Sequence, residues 1–188
     1  MVLLIVGILL FAGVHLVPSL APALKASWLG RLGEGGYKGT FSLLLLASFA
    51  LIITGWRSTQ PEFIYTPSAA LHHPALLLLV IAFLLMVVSS RKSRLGLLLR
   101  HPQLSGVTVW GIAHLLLNGD NRSLVLFGGL GLWALVEMPL INRRDGPRET
   151  PEAVPAAADV KLVVVALVAF GVLYVVHPWI AGVSPRPF

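Results

Sequence analysis

The stretch ALHHPALLLLVIAFLLMVVSS, residues 70–90, contains no Asp, Glu, Lys or Arg. Such a run is typical of a helix that crosses a lipid bilayer, because about 20 residues at ~1.5 Å per residue span a hydrocarbon core of roughly 30 Å. Five further apolar runs lie between the charged residues of the chain, at about 2–24, 39–56, 101–119, 123–142 and 162–178. The sequence therefore predicts an all-α integral membrane bundle of about six transmembrane helices.

The composition excludes several classes of protein. Of the 188 residues, 56% are hydrophobic and 12% are charged, whereas a soluble domain carries about 25% charged residues. The absence of cysteine excludes disulfides, iron–sulfur clusters, thiolate zinc sites and cysteine nucleophiles. No phosphate-binding glycine loop, GxSxG or HExxH motif occurs, so a hydrolase or nucleotidase has no support from motifs.

The positive charges are distributed unevenly between the two sides of the predicted bundle. The loops after the first, third and fifth runs contain 11 of the 14 Lys and Arg residues. These are Lys25, Arg31, Lys38, Arg91, Lys92, Arg94, Arg100, Arg143, Arg144, Arg148 and Lys161. By the positive-inside rule these loops are cytoplasmic and both termini lie outside. The net charge of +6 is then explained by topology, so the lipid bilayer is the predicted partner and nucleic acid is not.

The chain is predicted to form a single transmembrane domain, residues 1–188. Residues 143–160 are rich in Pro, Ala and charge, which indicates a cytoplasmic linker between spans five and six. Residues 20–38 mix Trp28 and leucines with basic residues. We expect them to lie along the cytoplasmic interface until Gly35 and Gly36 turn the chain into span two.

Three ionisable side chains are predicted to lie within the hydrocarbon: His15, His114 and Glu137. Such groups are costly there and are functional candidates by default. His15 lies in GVHLVPS and His114 in GIAHLLLNGD. Two buried histidines on different helices suit a six-coordinate haem iron. The alternative is that each histidine only hydrogen-bonds to a neighbouring helix.

The sequence leaves more than one interpretation of the surroundings of Glu137. A partner such as His101 or Arg100 lies at similar predicted depth. Otherwise the carboxyl is unpaired and protonated, or it extends to the interface. His101 precedes Pro102, which is typical of a helix start.

The remaining polar residues are assigned to the outer ends of helices. His72 and His73 begin span three and His177 ends span six, so we expect these histidines at the interface, with a spacing that matches no zinc motif. Asp120 or Asn121 is expected to cap the start of span five.

The segment HPQLSGVTVWGIAHLLLNGDNRSLVLFGG, residues 101–129, resembles the NnrU family of bacterial membrane proteins. GVHLVPS at 13–19 and RLGEGGYKGTFSLLLL at 31–46 extend the resemblance, which runs from about residue 2 to 142. The NnrU family is in turn related to 15-cis-ζ-carotene isomerase, an integral membrane protein that uses haem b to isomerise a carotenoid double bond. NnrU proteins have also been associated with nitrite and nitric oxide respiration.

The resemblance implies roles for individual residues. The two haem-ligand histidines proposed for the isomerase match His15 and His114, and its HPQ segment begins at His101. A pairing of His15 with His101 is the alternative ligand set. The isomerase has a cysteine three residues before its second ligand histidine, suggested as an alternate ligand. Here that position is Gly111, so a thiolate ligand switch is excluded.

The resemblance also implies a function and a location. We expect a multi-pass protein of the bacterial inner membrane, with both termini periplasmic, that binds haem b. Its expected activity is redox-dependent cis–trans isomerisation of a carotenoid-like polyene, with that hydrophobic substrate and an electron donor as partners. One alternative is a non-catalytic membrane factor that supports nitrite and nitric oxide respiration in denitrification. Another is a structural protein whose histidines only join helices.

Overall fold

The computed structural model describes residues 1–90, 93–148 and 157–184. These residues form helices and no strand, apart from one isolated antiparallel bridge between Phe63 and Asp120. The helices are α1 (Val2–Leu20), α2 (Pro22–Ser58), α3 (His72–Val88), α4 (Arg94–Leu98), α5 (Pro102–Leu117), α6 (Asn121–Ser123), α7 (Gly129–Asp145) and α8 (Ala157–Ala181). A π-helical segment, Leu124–Gly128, joins α6 to α7. The all-α prediction is confirmed.

Five helical stretches in the described part of the chain are long and apolar enough to cross a membrane. They are Val2–Leu20, Pro22–Ser58, Ala69–Val88, Asn121–Asp145 and Asp159–Ala181. Helix α5 has 16 residues, or about 24 Å. It is shorter than the predicted run because the chain bends at His101 before Pro102 and becomes extended at Asn118.

The first predicted span is divided at Ala21. We expected a run that stays helical to residue 24, but α1 ends at Leu20 and α2 begins at Pro22. Ala21 has non-helical dihedrals of φ −130° and ψ 61°. Proline has no backbone N–H and disfavours the helical conformation in the residue before it, so it starts a new helix here.

The bend in α2 lies at Gly33, so the prediction of a turn at Gly35 and Gly36 was wrong. Gly33 has φ 68° and ψ 176°, a conformation that residues with a Cβ rarely adopt. Across the bend, Trp28 Nε1 donates a hydrogen bond of 2.8 Å to Thr40 Oγ1. This bond ties the two arms of α2 together.

The chain divides into two compact units. The first unit comprises Met1–Thr66 and Gly119–Gly146, and the second comprises Pro67–Asn118 and Pro147–Phe188. Each is described by itself, and the single transmembrane domain stays a prediction. Part of the predicted linker, residues 149–156, lies outside the described residues; helix α7 continues into its start, through Asp145, and α8 begins at Ala157.

In the first unit, α1 packs closely on α2. A Cβ added to Gly7 would lie 2.8 Å from the backbone nitrogen of Ile52, so only glycine permits this approach. Leu4, Ile8 and Ile52 form the buried cluster beside it. Helix α7 also packs on α1.

In the second unit, α3 packs against both α5 and α8. Gly106 lets α5 approach α3, because a Cβ there would lie 2.9 Å from the carbonyl oxygen of Ala82. On the side of α8, the rings of Phe83 and Phe170 meet edge to face with centroids 5.8 Å apart. These contacts join α3, α5 and α8 in one packed unit.

Candidate functional site

His15 lies in the penultimate turn of α1, within an aromatic cluster. Its Nδ1 is 2.8 Å from the carbonyl oxygen of Phe11. A carbonyl only accepts, so Nδ1 carries the proton and the neutral ring has its lone pair on Nε2. The rings of Phe11, Trp133 and Phe41 lie 4.3, 5.0 and 5.5 Å from the His15 ring.

The hydrogen bond of His15 does not join two helices. It runs to the carbonyl four residues earlier on α1, so it fixes the ring rather than the packing of α1 on a neighbour. The aromatic cluster provides apolar, flat-sided surroundings of the kind that bury a hydrophobic ligand. The described contacts of His15 are therefore those of an oriented ring with its Nε2 as an acceptor.

Glu137 of α7 is buried, with 4% of its surface exposed. Its extension to the membrane interface stays a prediction. Ser19 of α1 donates to its Oε1 at 3.4 Å. Its Oε2 and the Nε1 of Trp133, one turn earlier, have no hydrogen-bond partner among the described residues. A partner in His101 or Arg100 stays a prediction, because those residues belong to the second unit.

Arg144 extends the polar contact between Ser19 of α1 and Glu137 of α7. Its Nη1 donates to Ser19 Oγ at 3.2 Å, while its Nε and Nη2 pair with Asp145 at 2.7 and 3.1 Å. A cavity of about 420 Å³ opens there, lined by Pro18, Ser19, Leu20, Pro22, Leu140, Arg143 and Arg144. The first unit thus places an imidazole, a buried carboxyl and an arginine along two packed helices.

His114 lies in the last turn of α5 and is oriented in the same way as His15. Its Nδ1 is 2.9 Å from the carbonyl oxygen of Trp110, four residues earlier. The same reasoning places its lone pair on Nε2. The Trp110 ring lies 4.8 Å from the imidazole, and Asn118 Nδ2 donates to the backbone oxygen of His114 at 3.0 Å. Gly111, at the position of the isomerase cysteine, is buried.

The structure brings His177 of α8 beside His114, with ring centroids 6.5 Å apart and an interplanar angle of 23°. The sequence did not predict this pair, since His177 was assigned to the interface. A signal was present: α5 and α8 are both predicted to end on the outer side, so residues near their C-terminal ends share a level.

The other histidines begin helices. His101 immediately precedes α5, and its carbonyl accepts from Ser105 N at 2.9 Å, which confirms the helix-start interpretation. His72 and His73 begin α3, with ring centroids 5.6 Å apart. Within the described ranges no group of three or more His, Cys, Asp or Glu side chains could hold a metal ion.

Asp120 caps the start of the fifth predicted span, as expected. Its Oδ1 accepts from the backbone N–H groups of Arg122 and Ser123 at 3.0 and 3.1 Å, and Ser123 Oγ donates to Oδ2 at 2.8 Å. Burial favours a higher pKa for Asp120, but the hydrogen bonds from Ser123 and Arg122 outweigh it and lower the pKa. The Arg122 guanidinium also lies 4.5 Å above the Trp56 ring.

Comparison with known protein families identifies the chain at the level of family. The family model described as NnrU protein matches residues 3–185. The chain belongs to the NnrU family. The match extends beyond the resemblance at 2–142 and includes α8 of this NnrU protein. Neither a curated protein nor a solved structure matches it, so the relation to the carotene isomerase stays a prediction.

Proposed function

We propose that this NnrU protein binds haem b, with the Nε2 atoms of His15 and His114 as the iron ligands. One observation carries the proposal: both rings donate Nδ1–H to the carbonyl four residues earlier on their own helix. Metal-binding histidines commonly use such a bond to fix the tautomer and the orientation of the ring. His15 and His114 belong to different units, so their pairing is part of the proposal.

The residues present fit this group. Iron in b-type haem accepts neutral imidazole nitrogen, and the chain has no thiol to compete with it. Bound haem would supply reversible one-electron chemistry. Around His15, the rings of Phe11, Phe41 and Trp133 give the imidazole apolar surroundings. Around His114, the ring of Trp110 packs beside the imidazole, and the buried residues Gly111 and Ala113 add little side-chain volume to α5.

The purified protein tests the haem proposal directly. We expect a Soret band and a bis-histidine reduced-minus-oxidised spectrum in detergent. His15→Ala and His114→Ala each lose this spectrum, while His101→Ala, the matched histidine outside α5, retains it. A spectrum lost in His101→Ala but kept in His114→Ala supports the pairing of His15 with His101. The absence of haem from a wild-type protein that is folded and supplied with haem overturns the proposal.

The proposed activity is redox-dependent cis–trans isomerisation of a carotenoid-like polyene. It is supported by the apolar aromatic surroundings of His15, which suit a hydrophobic substrate, and it requires an electron donor. Incubation of the reduced, haem-loaded protein with tri-cis-ζ-carotene tests it by isomer analysis. No isomerisation at full haem loading favours the alternative, a non-catalytic factor in nitrite and nitric oxide respiration.

For the topology, we propose that α5 crosses the bilayer with the five longer helices, giving six spans with both termini in the periplasm of a bacterial inner membrane. The uneven distribution of Lys and Arg supports this orientation. The cysteine-free sequence allows a clean labelling test. Arg100→Cys and Asn118→Cys, at the two ends of α5, should react with impermeant thiol reagents from opposite sides. Labelling of both from the same side excludes a crossing by α5.

A further inference from the structure

We infer that His114 and His177 form a two-imidazole site for a transition metal, with the Nε2 atoms of both rings as ligands. The proposal assigns a role to His177 that its position in the sequence does not indicate. Where the metal is the iron of haem, the inference rests on the proposed binding of haem through His114, and His177 then takes the second ligand position in place of His15. Where the metal is a free ion, it stands independently.

Both rings of the pair are in the tautomer that binds metals through Nε2. His114 Nδ1 lies 2.9 Å from Trp110 O, and His177 Nδ1 lies 2.7 Å from Val183 O. Each carbonyl accepts the Nδ1 proton, so each neutral ring has a lone pair on Nε2.

The backbone after α8 is shaped to hold the His177 ring. Gly182 has φ 72°, and its N–H donates to the carbonyl of Pro178 at 2.9 Å. This left-handed residue reverses the chain after α8, and the reversal returns the Val183 carbonyl to the His177 ring six residues earlier. The orientation of His177 is therefore fixed by the turn after α8, as expected for a ligand that must be held in place.

The separation of the rings suits a metal atom. With metal–nitrogen bonds of ~2.0–2.1 Å and roughly 1 Å from nitrogen to ring centre, two opposed imidazoles place their centroids about 6 Å apart. The His114 and His177 centroids are 6.5 Å apart. A tetrahedral angle between the ligands would bring the centroids closer, to about 5 Å. The observed separation is therefore closer to that of opposed ligands than to that of tetrahedral ones.

The ligand set limits the class of metal. Neutral imidazoles suit iron, copper, nickel and zinc, whereas magnesium and calcium prefer oxygen ligands. Within the described residues no third His, Cys, Asp or Glu joins the pair. Porphyrin nitrogens supply further coordination in haem, and a two-coordinate ion such as Cu⁺ needs none.

The experiment has one arm for each source of metal. In the first, the full-length protein in detergent is loaded with haem b, and the ferric spectra of wild type, His177→Ala and His177→Gly are compared. In the second, haem-free protein is dialysed against Cu⁺ under reducing conditions, and separately against Zn²⁺. His72→Ala and His73→Ala are the matched controls, because that adjacent pair also has ring contact in the second unit. The melting temperature of each variant establishes that it folds.

With haem iron at the pair, His177→Ala weakens haem binding at least tenfold or converts a six-coordinate spectrum to a five-coordinate one. Added imidazole restores the spectrum in His177→Gly, which a merely structural role would not explain. With a free ion, one metal binds per chain, and both His114→Ala and His177→Ala reduce its affinity at least tenfold. In either case the two control variants behave as wild type.

The inference is overturned if His177 variants leave haem binding unchanged and no Cu⁺ or Zn²⁺ binding depends on the pair. The proposed function then stands if the wild type still binds haem through His114. Conversely, if the folded wild type takes up no haem, the proposed function fails and the ion arm alone decides the inference.

Discussion

Each unit contains a histidine whose Nδ1 is hydrogen-bonded to the carbonyl four residues earlier. The two units differ in the side chains that surround this histidine. In the first unit, His15 stands alone among aromatic rings, and the two buried carboxyl residues of the described chain, Asp120 and Glu137, belong to that unit. The second unit holds the other five of the six histidines, and His114 has an imidazole neighbour in His177. The first unit thus combines buried carboxyl groups with one imidazole, whereas the second unit brings imidazoles together.

The largest loss of stability in either unit is expected from substitutions at the close helix contacts that hold the unit together. Gly7→Ala places a methyl group 2.8 Å from the backbone of α2, which must shift, so we expect a loss of about 2–3 kcal/mol in the free energy of unfolding. Gly106→Ala meets backbone and the flexible Met86 side chain, each at 2.9 Å, and should cost about 1–2 kcal/mol.

Gly13 is the control for these variants, because a Cβ at that position meets nothing within 4 Å. Gly13→Ala should be neutral or stabilise α1 by up to about 1 kcal/mol. Unfolding in detergent, followed by circular dichroism, measures all three variants. A Gly7→Ala protein as stable as Gly13→Ala would contradict the close packing of α1 on α2.

A second, smaller effect concerns the carboxyl of the first unit. Glu137→Ala removes the acceptor of the Ser19 hydroxyl and leaves a cavity, so we expect a loss of about 1–3 kcal/mol. Glu137→Gln keeps the shape and an acceptor oxygen and should cost less than about 1 kcal/mol. Thermal unfolding separates the two. Equal losses would mean that the carboxyl itself, rather than its shape and acceptor, stabilises the unit.

The smallest loss of stability is expected from alanine substitution at one helix cap in each unit. Asp120 accepts from two backbone N–H groups in the first unit, and Ser93 Oγ accepts from Gly96 N at 2.9 Å in the second. Each change to alanine should cost about 1 kcal/mol near neutral pH. Only the Asp120 contribution should depend on pH.

The direction of the pH dependence follows from the lowered pKa of Asp120. The folded state favours the carboxylate, so the stabilisation is fully present above the unfolded pKa of about 4 and is lost as the pH falls through the lower folded value. Melting curves between pH 7 and pH 3 should therefore show wild type and Asp120→Ala converging in acid. The difference between wild type and Ser93→Ala should stay constant. Convergence of the Ser93 pair as well would contradict the assignment to Asp120.

Much of the secondary structure was predictable, but its breaks were less so. Apolar runs predict helices because every backbone polar group must be satisfied within the membrane. The break at Ala21 is explained by Pro22, although the apolar run continues across it. Among the neighbouring glycines 33, 35 and 36, sequence could not select the one with positive φ. In the structure the bend lies at Gly33, and the hydrogen bond from Trp28 to Thr40 joins the two arms on either side of it.

The candidate site was predicted residue by residue, and its contacts were not. His15, His114 and Glu137 were identified because ionisable groups are costly within hydrocarbon. The capping role of Asp120 was also predicted, since capping is a local interaction. Ser19 as the partner of Glu137 and His177 as the neighbour of His114 were missed, because each contact joins helices far apart in the chain.

The sequence by itself determined a helical membrane protein of the NnrU family, and with it the histidines and the carboxyl that can do chemistry. Those features depend on the local run of apolar residues and on residue identity. Only the tertiary structure decided what each group faces: Glu137 with Ser19, His15 with Trp133, and His114 with His177. Such contacts depend on which helix faces pack together, and close approaches at glycines such as Gly7 and Gly106 set that packing.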